Sequence, residues 1–187
     1  MSDANSRPGP HPAPPVFHSV LATPLLHEWE RMRRSSDVRI RLCHGPVAHL
    51  TAERRDDPLE AILAACGFLR PTTDAADHAM LDLVVAGRTD PLVARVALQR
   101  LLPALVAVAR RRGRINGGAQ RAFDEVVATA WIGIRSYPAD RRPRKVAANL
   151  VRDAEYLAFV QPRRLRSATE HVGLPVERRS PAAVLDG

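Results

Sequence analysis

Hydrophobic positions along the chain recur mostly at three- and four-residue spacing, the period of an amphipathic helix. Thr23-Pro24 offers an N-cap and a first-turn proline, and Leu25, Leu26, Trp29 and Met32 then repeat at helical spacing to about Arg34. Asp57-Pro58 opens "LEAILAACGFL", which ends before Pro71. Asp74 is placed to cap a segment with Met80, Leu81, Val84 and Val85 as its apolar side, ending at Gly87. Asp90-Pro91 opens the longest run, through Arg112, with Leu98, Leu101, Leu102, Leu105, Val108 and Ala109 in phase. Pro103 is expected to kink or divide that run, because it removes a backbone donor and crowds the preceding turn. After the basic turn "RRRGRINGG", two more helices are predicted, over about Ala119–Tyr137 and Arg142–Val160. "VRIRL", Val38 to Leu42, is the exception: it alternates apolar residues with Arg and reads as a short strand.

These elements predict an all-α protein, a helical bundle of about five helices with disordered N- and C-terminal tails. Residues 1–15 form a Pro-rich polar leader expected to be disordered. Residues 16–70 form an N-terminal segment whose packing periodicity does not assign. Residues 71–166 form the main helical domain, and 167–187 a flexible tail. Aromatics are only 4% of the 187 residues, so the core must be built from Leu, Val, Ile and Ala.

Charge changes this picture. The formal net charge is +8, and of the 28 basic residues only Lys145 is a lysine. A GC-rich genome would account for Arg replacing Lys, but not for where the excess lies. Between Arg110 and Arg166 there are 14 basic and 5 acidic side chains, so the remainder of the chain is close to neutral. A localised basic surface points to a polyanionic partner, nucleic acid being the commonest.

On the Arg142–Val160 helix, Val146, Ala147, Leu150, Val151, Ala154, Leu157 and Ala158 fill one side. Another arc carries Arg142, Lys145, Asn149, Arg152, Asp153 and Tyr156. Asn and Asp compete with the helix backbone for hydrogen bonds, so Asn149 and Asp153 are unexpected in a helix middle. The arc suits phosphate and base-edge contacts, or is an ordinary solvated face. On the preceding helix, Phe123, Val126, Val127, Ala130, Trp131 and Ile134 face inward, leaving Asp124, Glu125, Thr129, Ile132 and Arg135 outside. Ile132 is an apolar residue on a polar face, and either packs under another element or marks a partner surface.

Catalytic signals are weak, and the protein is not expected to be an enzyme. No Gly-rich phosphate loop follows a strand, no serine has a G-x-S-x-G context, and acidic pairs such as Asp56-Asp57 sit at helix starts. Cys43, His44 and His49 lack a fourth metal ligand at suitable spacing, so neither metal nor cofactor is expected. No uninterrupted apolar run reaches the ~18 residues of a membrane span, and a cytoplasmic protein is expected, with no membrane partner and no evident small-molecule substrate.

"DEVVATAWI" (Asp124–Ile132) followed by "AANLVRD" (Ala147–Asp153) resembles the core-binding and promoter-melting domain of bacterial sigma factors, most of all the small extracytoplasmic-function class. In that family an acidic helix of the type D-x-V-Q-E-A-aromatic-L leads through a loop into a helix marked A-R-N-x-x-x-D. The likeness covers roughly Asp74 to Arg166. It implies a sigma-like regulator with DNA and RNA polymerase core as partners. Arg141, Arg142, Arg144, Lys145, Asn149, Arg152 and Tyr156 would then meet nucleic acid, and Asp124, Glu125, Thr129, Ile132 and Arg135 a protein. The sequence departs from the family at Ala128-Thr129, where Gln-Glu is usual, and at Arg142, where an aromatic helps open the duplex. Tyr137 and Tyr156 are the remaining aromatics near that position. With 21 residues after the matched segment, the upstream-reading helix-turn-helix domain is not expected. The competing expectations are a charge-driven DNA- or RNA-binding module without polymerase contact, and a helical protein-interaction bundle.

Overall fold

A computed structural model describes residues 20–52 and 54–165. The expected leader lies outside these residues, as does the expected tail. The described residues form seven α-helices: α1 (Ala22–Arg34), α2 (Ser36–His44), α3 (Pro58–Ala65), α4 (Asp74–Gly87), α5 (Pro91–Gly113), α6 (Ala119–Ser136) and α7 (Val146–Glu155). A 3-10 turn covers Ala48–Thr51, and a π-turn covers Tyr156–Val160 at the end of α7. There is no strand among the described residues.

The central element is α5, which packs most extensively on α6 and then on α4. Asp90 starts it, accepting from the N–H groups of Leu92 (2.8 Å) and Val93 (3.4 Å), with Pro91 in the first turn. Its early turns are buried all round, Val93 through Leu98. By length and composition α5 could cross a membrane, but more than half of its most apolar stretch is covered by the bundle. Pro103 does not divide it: the helix runs on unbroken, with Pro103 exposed. The α5–α6 turn needs glycine at Gly113, where a Cβ would lie 2.5 Å from Ala119 Cα.

The packing of residues 16–70, left unassigned by periodicity, is resolved for the described part. Trp29, Met32, Leu42, Val47, Leu59, Ile62 and Leu63 join the same core as the later helices. Arg95 fastens α1 to α5. Only 4% exposed, it donates to Glu28 Oε2 at 2.7 Å, Leu25 O at 2.8 Å and Gln99 Oε1 at 3.0 Å, with its guanidinium over the Trp29 ring. Burial lowers its pKa, and the bond and charge of Glu28 oppose that shift.

Three local expectations are corrected. "VRIRL" is helical: Ser35 Oγ accepts from Val38 N, and only Leu42 of the segment is buried, with Ile40 56% exposed. Without a partner strand, a helix satisfies the backbone locally where an isolated strand would not. The last helix starts at Val146 rather than Arg142, because residues 137–145 form a folded loop. Further along, the π-turn adds a residue per turn and shifts the register. Phe159 therefore fills the core, and Leu157, inward-facing by a 100° count, is 44% exposed.

Candidate nucleic-acid interface

The loop between α6 and α7 is built from the residues that looked out of place in a helix. Tyr137, 2% exposed, donates its hydroxyl proton to Arg142 O at 2.8 Å. Asn149, one turn into α7, reaches back and donates Nδ2–H to Tyr137 Oη (3.2 Å) and to Arg144 O (2.8 Å). Asp153, one turn further, takes both Nη groups of Arg142, at 2.5 and 3.4 Å. The Arg142 guanidinium lies 5.9 Å from the Tyr137 ring centroid, and its bond to Asp153 raises its pKa above the ordinary value. Asn149 and Asp153 thus sit four residues apart because each fastens a different part of one loop.

The loop ends in a constrained residue. Lys145 has φ +54°, a left-handed conformation that is uncommon for a side-chain-bearing residue. Asp77 of α4 stabilises it by accepting from the N–H groups of Lys145 (2.5 Å) and Val146 (2.8 Å). Two orphan donors and the positive end of α7 are satisfied by one carboxylate. Sequence reasoning missed Asp77, which stands 68 residues away in an unremarkable acidic first turn.

The expected nucleic-acid residues therefore divide. Arg142 and Asn149 have intramolecular partners that shape the loop. Arg141, Arg144, Lys145 and Arg152 are exposed, and their side chains have no ion-pair or hydrogen-bond partner among the described residues. The first three stand on the loop. Arg152 lies on the α7 side that faces α5, where it lines a groove with Arg100 and Arg111. Tyr156 is 40% exposed with Arg164 over its ring at 5.7 Å. Tyr137, the other aromatic considered for stacking, is buried and its hydroxyl is engaged.

The expected protein-contact face of α6 divides similarly. Asp124 accepts from the N–H groups of Val20 (3.3 Å) and Leu21 (3.1 Å), so it supplies the start of α1 in place of the expected Thr23 cap. Glu125 pairs with Arg121 at 3.0 Å, and Thr129 donates to Glu125 O at 2.8 Å. Ile132 is 65% exposed, and Arg135 rests on the Trp131 ring at 6.0 Å.

The basic end of α5 is partly neutralised by α7. Arg111 and Arg112 both donate to Glu155, at 2.8 and 2.7 Å. Burial raises the Glu155 pKa, but the two arginines outweigh it and hold the carboxyl below the usual range. No cluster of three or more His, Cys, Asp or Glu side chains placed to hold a metal occurs among the described residues. Compared with protein-family models, curated proteins and solved structures, the chain matches none.

Proposed function

We propose that this protein is a sigma-factor-like, DNA-associated transcription regulator that docks on nucleic acid through the α6–α7 corner. The observation that carries the reading is the set of four exposed cations without a partner among the described residues, Arg141, Arg144 and Lys145 on a loop that a buried tyrosine and Asn149 hold in one shape, and Arg152 on the helix that follows it. Cations presented from a loop backbone already held in one shape attract phosphates and release condensed counterions, and only their side chains remain to be ordered on contact. Arg142 sits among them but is held by Asp153, so its role is to fix the loop. Support for polymerase contact comes from the resemblance of the α6 and α7 sequences and from the open Ile132 side of α6.

The test is recovery of RNA polymerase subunits on the tagged protein from nuclease-treated host lysate. Polymerase recovered from wild type and lost with Ile132→Asp, at unchanged helical content, is the expected result. Salt-sensitive DNA binding without polymerase would leave a charge-driven nucleic-acid module. Neither polymerase nor DNA binding at moderate salt would leave a protein-interaction bundle.

A further inference from the structure

We propose that the groove between α5 and α7 is a docking site for an acidic amphipathic helix of a protein partner. The groove has a volume of about 500 Å³. Ala104, Ala107 and Val108 of α5, with Ala147, Ala148 and Val151 of α7, give it an apolar floor of short side chains. Three guanidiniums surround that floor. Arg100 comes from α5, fixed by its Nε–H donating to Cys66 O at 2.7 Å, Arg111 from the end of α5, and Arg152 from α7. Glu155, the one carboxylate among the described lining residues, is held by Arg111 and Arg112, which leaves Arg100 and Arg152 as the guanidiniums without an acidic partner among the described residues.

An occupant must therefore bring an apolar strip and negative charge on the same surface. A helix with apolar residues at i, i+3, i+4 and i+7, flanked by Asp or Glu, provides both. Short floor residues let two helices approach closely, and the flanking carboxylates would meet arginines in bidentate fashion. A nucleic-acid strand fits less well, because no aromatic among the described residues lines the groove to stack a base, and phosphates would leave the apolar floor uncovered. Complementary charge would set the orientation and speed of docking, and the apolar strip the residence time.

The docking site and the proposed DNA contact share Arg152 and are otherwise built from different residues, Arg100 and Arg111 in the groove and Arg141, Arg144 and Lys145 on the loop. The test is selection of phage-displayed helical peptides on the full chain at physiological salt. Synthetic copies of the enriched sequences are then titrated by fluorescence anisotropy. Enriched peptides should carry the apolar stripe flanked by acidic residues, and replacing their Glu by Gln should weaken binding at least ten-fold. Ala107→Trp, which fills the groove from an exposed position, should do the same while leaving the helical spectrum and the salt dependence of DNA binding unchanged. Ala148→Gln repeats the test if the Trp variant is misfolded.

No enrichment, enrichment without acidic residues, or equal binding to the groove-filled variants overturns the inference. So does a groove-filled variant that weakens binding of a single-stranded oligonucleotide and not of peptide, which would assign the groove to nucleic acid. Wild-type protein that binds no DNA would refute the proposed function and leave this site standing.

Discussion

Replacing Asn149 by Ala separates the two roles a polar residue can have on α7. The side chain makes two hydrogen bonds, to Tyr137 Oη and Arg144 O. Each is worth about 1 kcal/mol net. The better helix propensity of Ala returns about 0.5 kcal/mol, so a loss of roughly 1.5 kcal/mol is expected. For a chain of this size that corresponds to a fall in Tm of about 3–6 °C. Thermal unfolding followed by circular dichroism measures the loss, and amide hydrogen exchange should show faster exchange across residues 138–145. DNA affinity should fall only as far as the loop loosens, equally for all sequences. Arg152→Ala is the counterpart: Tm within about 1 °C of wild type, because the side chain has no partner among the described residues, and a shallower salt dependence of DNA binding. If Asn149→Ala left Tm unchanged and instead erased a base preference, the loop-fastening account of this residue would be wrong.

Asp77→Ala should cost about 1–2 kcal/mol, since it uncaps α7 at a left-handed Lys145, and Lys145→Gly in the same background should recover part of that loss. Urea unfolding of the single and double variants checks both statements. Because the folded-state pKa of Glu155 lies below its ordinary value, its contribution to stability is complete above roughly pH 4.3 and is lost as pH falls through the folded value. The acid limb of the Tm-versus-pH curve should therefore be shallower in Glu155→Gln. Burial pushes the Cys66 thiol up to about 12, so a thiol reagent at pH 8 should modify Cys43 in the native protein and Cys66 only after unfolding. Two rapidly modified thiols in the native state would contradict the described packing.

Much of the bundle is legible because helix starts and stops are local chemistry. Asp57-Pro58, Asp90-Pro91 and Gly87 mark boundaries wherever the helices later pack. The long apolar run of α5 likewise reads as a core helix. What stays hidden depends on partners distant in sequence. Alternation in "VRIRL" resembles a strand until it is clear that no neighbouring strand exists among the described residues. The start of α7 is set by Asp77, a residue of α4, and the start of α1 by Asp124 of α6. Leu157 and Phe159 exchange places because of a π-turn that a fixed 100° step does not anticipate.

The candidate site was legible as a charge concentration and not as a geometry. The sequence places Arg141, Arg142, Arg144 and Lys145 together, and they are together in the fold. It also marks Asn149 and Asp153 as anomalous, but the reason is intramolecular: they secure the loop that presents the remaining cations. Composition alone gives Arg142 and Arg144 equal weight. Only the Asp153 contact distinguishes a guanidinium already in use from one that is available. Of the groove arginines, Arg100 carries no sequence signal, being one more basic residue on an apolar helix, and Arg111 belongs to the basic "RRRGRINGG" stretch, which marks its charge but not the groove it lines.

The most direct test of the central claim is the salt dependence of duplex DNA binding by the full chain, from about 50 to 200 mM monovalent salt. Four available cations predict a slope of log affinity against log salt of roughly −3.6, and removal of any one of Arg141, Arg144, Lys145 or Arg152 should make it shallower by about 0.9. Arg142→Ala should disturb the loop and alter the slope by less than the others. A slope near zero, or one that none of the four substitutions changes, would contradict the proposal that this corner is a phosphate-docking surface.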